Sequence, residues 1–301
     1  METVRHSEHT LKTALISENP RLVSQYEKLD AGERRLLNEA FKPDHDLFGP
    51  ITLHSQLDWI ISHPEAPQDF EQFFSDPYRK APSPDKRSIY IQCIGHILKF
   101  LKKKKPEDAF CIVGITMIDL YPRDSWNFVF GQASLTDGVG IFSFARYGSD
   151  FYSSRYEGRV SKLQKGSSSD YAVFDNYYTP QVTSVLLLRS CKTLTHEIGH
   201  IFGLRHCQWL ACLMQGSNHL EEADRRPLNL CPICLRKLQC AIGFNIIERY
   251  KALVGGVEDE SDSPGVSTKR SREGTVDLPK PVDAFKEWNE WIIKCLAVVQ
   301  K

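Results

Sequence analysis

The amino-acid sequence predicts an α/β fold followed by a cysteine-rich C-terminal subdomain. Three observations predict it. Residues Phe110 to Tyr121 form a nearly continuous apolar, β-branched run, the pattern of a central strand buried on both faces. Apolar residues recur at helical spacing on both sides of that run. Five of the nine cysteines fall between Cys207 and Cys240, a clustering that suggests metal binding.

In chain order, Leu11 to Ser17, Arg21 to Leu29 and Gly32 to Phe41 carry apolar residues at mixed three and four spacing and are predicted helices. Residues 64–87 hold five prolines and are predicted to be irregular, closing an N-terminal segment over 1–87. A catalytic domain is predicted over 88–254. It opens with Ser88 to Ile94, which alternates and is rich in β-formers. Ile97 to Lys105 follows as a short helix, stopped by Pro106, and then comes the central strand. Trp126 to Ala133 and Gly140 to Tyr147 are predicted strands joined by a turn containing Asp137-Gly138. Residues 148–172 read as a polar loop. Thr179-Pro180 starts a helix that runs from Gln181 towards Leu204. A subdomain over 207–254 contains the cysteines and a helix from Leu235 to Leu253. Residues 255–281, with their acidic and basic runs, are predicted to be a disordered insertion. Within 282–301, Phe285, Trp288, Ile292, Leu296 and Val299 form the stripe of a helix that packs back on the core.

Lys+Arg and Asp+Glu are both 38, so nothing in the net charge favours nucleic acid or anionic lipid. No apolar stretch is long enough to span a bilayer, and the first residues carry no apolar leader. The expectation is a cytoplasmic monomer that binds neither nucleic acid nor membrane. A nuclear location is the alternative, through Lys102 to Lys105 or Lys269 to Arg272.

The chemistry lies in His196-Glu197-Ile-Gly-His200-Ile-Phe-Gly203-Leu-Arg-His206. Histidines four apart on a helix stack on one face, where two imidazoles can bind one Zn²⁺. Glu197 sits beside them, placed to act as general base toward a metal-bound water. Gly203 can adopt positive φ, end the helix and turn the chain, so that His206 supplies a third nitrogen. Three protein ligands leave a fourth position for water, the arrangement of a catalytic site. A bare His-Glu-x-x-His arises by chance in roughly 2% of chains of this composition. Gly203 and His206 lower that roughly 500-fold further, which leaves coincidence an account of about 5% weight at most.

This run resembles the signature of the metzincin zinc endopeptidases. Cys207, Cys212, Met214 and Cys231-Pro-Ile-Cys234 follow it, and with them the sequence resembles the archaemetzincins, most closely those of vertebrates. The resemblance implies a metzincin-like α/β fold, with a mixed, mainly parallel twisted sheet, an active-site helix and a zinc-containing C-terminal subdomain. It implies two Zn²⁺ per chain. The catalytic zinc would sit on His196, His200 and His206 with Glu197 as base, and a structural zinc on Cys207, Cys212, Cys231 and Cys234. The four-residue gap followed by Cys-x-x-Cys is independently zinc-finger spacing. Cys240 reads as helix-packed core. Met214 resembles the methionine turn beneath the metal. Where some metzincins carry a tyrosine two residues later, this chain has Gly216.

The function implied is peptide-bond hydrolysis, with a peptide substrate extended along an edge strand at Phe130, Gly131, Gln132 and Ala133. One departure supports an alternative. Gly95 runs almost directly into Ile97, so the chain is shorter here than the archaemetzincin pattern. A shortened form would be a catalytically weak or inactive zinc-stabilised binding protein of protease ancestry.

Overall fold

In the computed structural model, residues 2–42, 47–93, 98–120, 128–148, 151, 182–262 and 279–300 are described. The Gly95–Ile97 junction, the strand start at Trp126, most of the 148–172 loop, Thr179-Pro180 and residues 263–278 of the predicted insertion lie outside them. The chain forms two compact units. The first holds Met1–Arg79, Thr183–Leu188 and Gly203–Lys301, the second Lys80–Val182 and Arg189–Phe202.

The first unit begins with β1 (Glu2–Val4), followed by α1 (Glu8–Ile16), α2 (Pro20–Glu27) and α3 (Ala31–Asn38). Ser7, Asn19 and Asp30 cap these helices with side-chain oxygens, which accounts for the regular stops along the segment. Next come β2 (Ile51–Leu53), antiparallel to β1, then α4 (Trp59–Ser62) and α5 (Phe70–Ser75). The proline-rich stretch predicted to be irregular therefore contains a helix. Its start is a capping box of Asp69 and Gln72.

The second unit contains β3 (Ser88–Cys93), α6 (Leu98–Lys104), β4 (Ala109–Thr116), β5 (Gly131–Ser134) and β6 (Val139–Ser143). The strand order is β3-β4-β6-β5. β4 pairs in parallel with β3 and β6, and β5 pairs antiparallel with β6. This is the mixed, mainly parallel sheet expected, with the apolar run at its centre. Leu101, Ile112, Val139 and Ile141 form a buried cluster between α6 and the sheet. The β5–β6 turn has Gly138 at φ +63. β5 covers only the end of the strand predicted from Trp126, and β6 ends at Ser143, where the chain turns into a single helical turn, Ala145–Tyr147.

α7 (Ser184–Ile201) carries the histidine motif and is shorter at both ends than predicted. Thr183 caps it, its hydroxyl accepting from the Leu186 amide at 3.1 Å. α8 (Leu220–Arg225), α9 (Pro232–Ile242), α10 (Ile246–Asp262) and α11 (Pro281–Val299) complete the first unit. The single helix predicted over 235–253 is two helices, because Gly243 at φ +83 ends α9. α10 then continues to Asp262, through the first eight residues of the predicted insertion.

Within the first unit, the N-terminal helices share one core with the cysteine segment. Arg236 of α9 is buried over the rings of Phe70 (3.7 Å) and Tyr26 (4.8 Å). It also donates to the carbonyls of Leu15 and Leu22. Buried Glu33 of α3 accepts from Gln239 (3.0 Å) and from the Ile246 amide (2.6 Å), tying α3 to the α9–α10 turn. α11 packs on α3 and α10 through Ile292, Cys295 and Val299, all buried.

Candidate metal centres

In the second unit, the side chains of His196 and His200 meet one turn apart on α7. Their Nε2 atoms are 3.0 Å apart, and His196 is buried. Two zinc-bound imidazole nitrogens lie about 3.3 Å apart when the bonds are about 2.0–2.1 Å, so the pair fits a shared zinc. Three contacts brace this helix. Tyr147 OH is hydrogen-bonded to Thr193 Oγ1, Arg189 donates to the Tyr147 carbonyl at 2.8 Å, and Phe202 stacks on Phe110 at 4.6 Å.

Glu197 lies against β5. A Cβ built on Gly131 would come within 2.9 Å of Glu197 Cγ and Oε1. The bare glycine therefore makes room for the carboxylate beside the sheet's edge strand. Gly131→Ala is expected to cost little stability, because a flexible side chain can move aside. If Glu197 is the general base that the sequence resemblance implies, the same movement displaces its carboxylate and peptide hydrolysis falls about 10-fold. Thermal melting and peptidase assays on the purified variant check both halves of this expectation. Unchanged turnover would show that the Glu197–Gly131 contact has no part in the reaction.

In the first unit, Gly203 adopts φ +91, the left-handed turn expected after the motif helix. Buried Gln68 clamps that turn. Its amide donates to the Gly203 carbonyl (3.1 Å) and its Oε1 accepts from the Arg205 amide (3.1 Å). The Gln68 carbonyl receives Trp209 Nε1–H at 2.9 Å and the Lys237 ammonium. His206 follows, half-buried, with Nδ1 at 2.8 Å from Glu65 Oε1.

Cys207, Cys212, Cys231 and Cys234 are all buried, with their sulfurs within 4.8 Å of one another. Cys207 and Cys231 Sγ are 3.6 Å apart, against about 3.8 Å across a tetrahedral site with Zn–S bonds of about 2.3 Å. The backbone is shaped around this cluster. The amides of Met214 (3.4 Å) and Cys231 (3.3 Å) point at Cys212 Sγ, and the Cys207 amide donates to the Met214 carbonyl at 2.8 Å. Hydrogen bonds from Cys212, Cys231 and Cys234 hold the Cys207 thiol well below its ordinary range, while burial pushes Cys212 and Cys231 up. Four buried cysteine sulfurs within 4.8 Å of one another are the donor chemistry of a soft cation site. Met214 is fully buried and serves the cysteine loop through its backbone. Cys240 lies outside the cluster.

A third group, Asp58, His219 and Glu222, also brings its ligand atoms within 4.8 Å. Its carboxylates are committed to structure. Asp58 accepts from the His54 amide and Arg225, and Glu222 from the Trp59 and Asn218 amides. Trp59, Glu65 and Gln68, which surround His206 and the turn before it, were not legible as site residues, because no spacing in the sequence links them to 203–216.

Over 360 aligned positions, covering all of both chains, archaemetzincin-2 of Macaca fascicularis is 70% identical to this chain. The chain belongs to the archaemetzincin family. Archaemetzincin-2 of Homo sapiens is 69% identical over the same span. The family model for peptidase family M54 matches residues 134–240, which include the whole histidine motif and all four clustered cysteines. This archaemetzincin is thus a metallopeptidase by family. Among solved structures it is similar to a zinc-dependent peptidase from Methanocorpusculum labreanum. That protein is 30% identical, with 48% of this chain and 61% of that one covered and a TM-score of 0.32. The alignment with the Macaca relative runs over 360 positions against 301 residues here, so that relative carries residues this chain lacks.

Proposed function

We propose that this archaemetzincin hydrolyses peptide bonds at a zinc held by His196, His200 and His206, with Glu197 as general base. The observation that carries the reading is the convergence of His196 and His200 Nε2 at 3.0 Å on the helix that also presents Glu197. The three histidines would hold a zinc that would supply polarisation of the scissile carbonyl and acidification of water. Glu197 then takes the proton of the attacking water and passes it to the leaving amine. Gly131 leaves room for that carboxylate beside the edge strand. The edge strand at Phe130, Gly131, Gln132 and Ala133 offers backbone groups to an extended peptide, as strand addition requires. A second zinc on Cys207, Cys212, Cys231 and Cys234 holds the loop that presents His206, since residues 206 and 207 are adjacent. The protein acts as a cytoplasmic monomer on peptides. Among the described residues no helix is long and apolar enough to cross a membrane.

The test is a peptide-library digest with purified, metal-quantified protein. Two zinc ions per chain and cleavage that stops on chelation and returns with zinc are the expected results. Two bound zinc ions with no cleavage of any peptide would instead establish the second reading, a zinc-stabilised binding protein. That reading is favoured by the chain's shorter length relative to the Macaca protein.

A further inference from the structure

The network around His206 reaches into residues 59–65, far outside the 134–240 family match. Glu65 Oε1 lies 2.8 Å from Trp59 Nε1 and 2.8 Å from His206 Nδ1. The indole N–H can only donate, so this oxygen is the acceptor there. An ionised carboxylate oxygen only accepts, so His206 Nδ1 carries the proton opposite it. The ring's lone pair is then on Nε2, the nitrogen with which the ring would bind a metal. Trp59 is itself fixed on several sides. Its amide donates to Glu222 Oε1 at 2.7 Å, and His63 stacks on the indole at 4.0 Å and 9°. His206 meets it edge-on at 5.2 Å. Gly216 lies directly beneath, where a Cβ would come within 2.3 Å of the indole. A tyrosine at 216 is therefore incompatible with this indole position, and Trp59 holds the space such a side chain would need.

We propose that Glu65, oriented by Trp59 on the Gly216 platform, is a positioning residue that fixes the tautomer and ring orientation of the third zinc ligand, His206. The proposal rests on the reading of His206 as a ligand. Carboxylates that accept from the second ring nitrogen of a metal-bound histidine raise its basicity and hold its orientation, and losing one weakens metal binding by about 10- to 100-fold. Residues of the N-terminal segment are then part of the metal centre.

The experiment is a zinc competition titration of the full-length protein against a chromophoric chelator, read separately for the weaker and the tighter site. Glu65→Ala should lower affinity at the weaker site by about 10- to 100-fold and leave the cysteine site unchanged. Glu65→Gln keeps an oxygen that accepts from both donors, and should stay within a few-fold of wild type. Cobalt loaded at the weaker site should show an altered visible spectrum in Glu65→Ala and a near-native one in Glu65→Gln. Wild-type zinc affinity in Glu65→Ala, or equal damage in both variants, would overturn the positioning role. His206→Ala separates the two levels of the argument. It should weaken that site beyond Glu65→Ala, and an unchanged affinity there would remove the ligand assignment and the positioning role together.

Discussion

Glu197→Gln is expected to lower peptide hydrolysis by ~10²-fold or more while zinc stays bound at its normal content. The substitution keeps the side chain's shape, so the packing on Gly131 and the spacing of His196 and His200 are retained. The amide cannot take a proton from water at neutral pH, and so under the proposed mechanism the step that makes the nucleophile and protonates the leaving amine loses its carrier. The decisive comparison is turnover and zinc content measured on the same preparation. Activity that survives the change would belong to another site or to a contaminating peptidase.

Loss of the cysteine cluster should have the larger structural effect. Structural zinc sites supply on the order of 10 kcal/mol of apparent binding free energy, comparable to the whole stability of a domain at about 5–15 kcal/mol. Here Cys231 immediately precedes α9 and Cys234 lies in its first turn, and α9 also carries Ile233, Leu235 and Arg236 into the core shared with the N-terminal helices. Cys231→Ser should therefore unfold much of the first unit. The three-histidine site has one protein ligand fewer, so a graded chelator titration should abolish activity first and expose apolar surface only later. Zinc release, activity and tryptophan fluorescence followed in one titration report the order, with buried Trp209, bonded to Gln68, as a reporter beside the cluster. Simultaneous loss of both metals and of structure would mean that residues 206 and 207 couple the sites into one cooperative unit.

The legible parts of the molecule were those written in local periodicity. The four-residue step from His196 to His200 needs only a helix, and the apolar run from Phe110 to Tyr121 needs only a sheet with both faces covered, although the strand it forms ends at Thr116. Gly203 and Gly138 were legible because glycine alone takes their positive φ at no steric cost. The capping box at Asp69 and Gln72 was equally local, but prolines on either side masked it. β1 and β2 have three residues each, too few for an alternation to register, and they exist because they pair with each other. The α9–α10 break was signalled by Gly243, although the apolar spacing continues across it. Nothing local marks Glu65, Trp59 or Gln68. Their roles come from partners more than a hundred residues away, and only the assembled core brings those partners within hydrogen-bond reach.

Gln68 carries a consequence for the order of events during synthesis. Its contacts with Gly203, Arg205 and Trp209 span 135, 137 and 141 residues. Closing a loop of that size costs on the order of 4 kcal/mol in chain entropy, before any constant term. Helices α1 to α3 can form as they leave the ribosome, whereas the turn that sets His206 has no clamp until residues beyond 203 have emerged. Lys237, which also reaches Gln68, comes later still. A further 135 residues are thus added after Gln68 before the first of these partners exists, and the turn before His206 acquires its clamp only then. A refolding trace should accordingly show helix formation well ahead of any competence to cut a peptide.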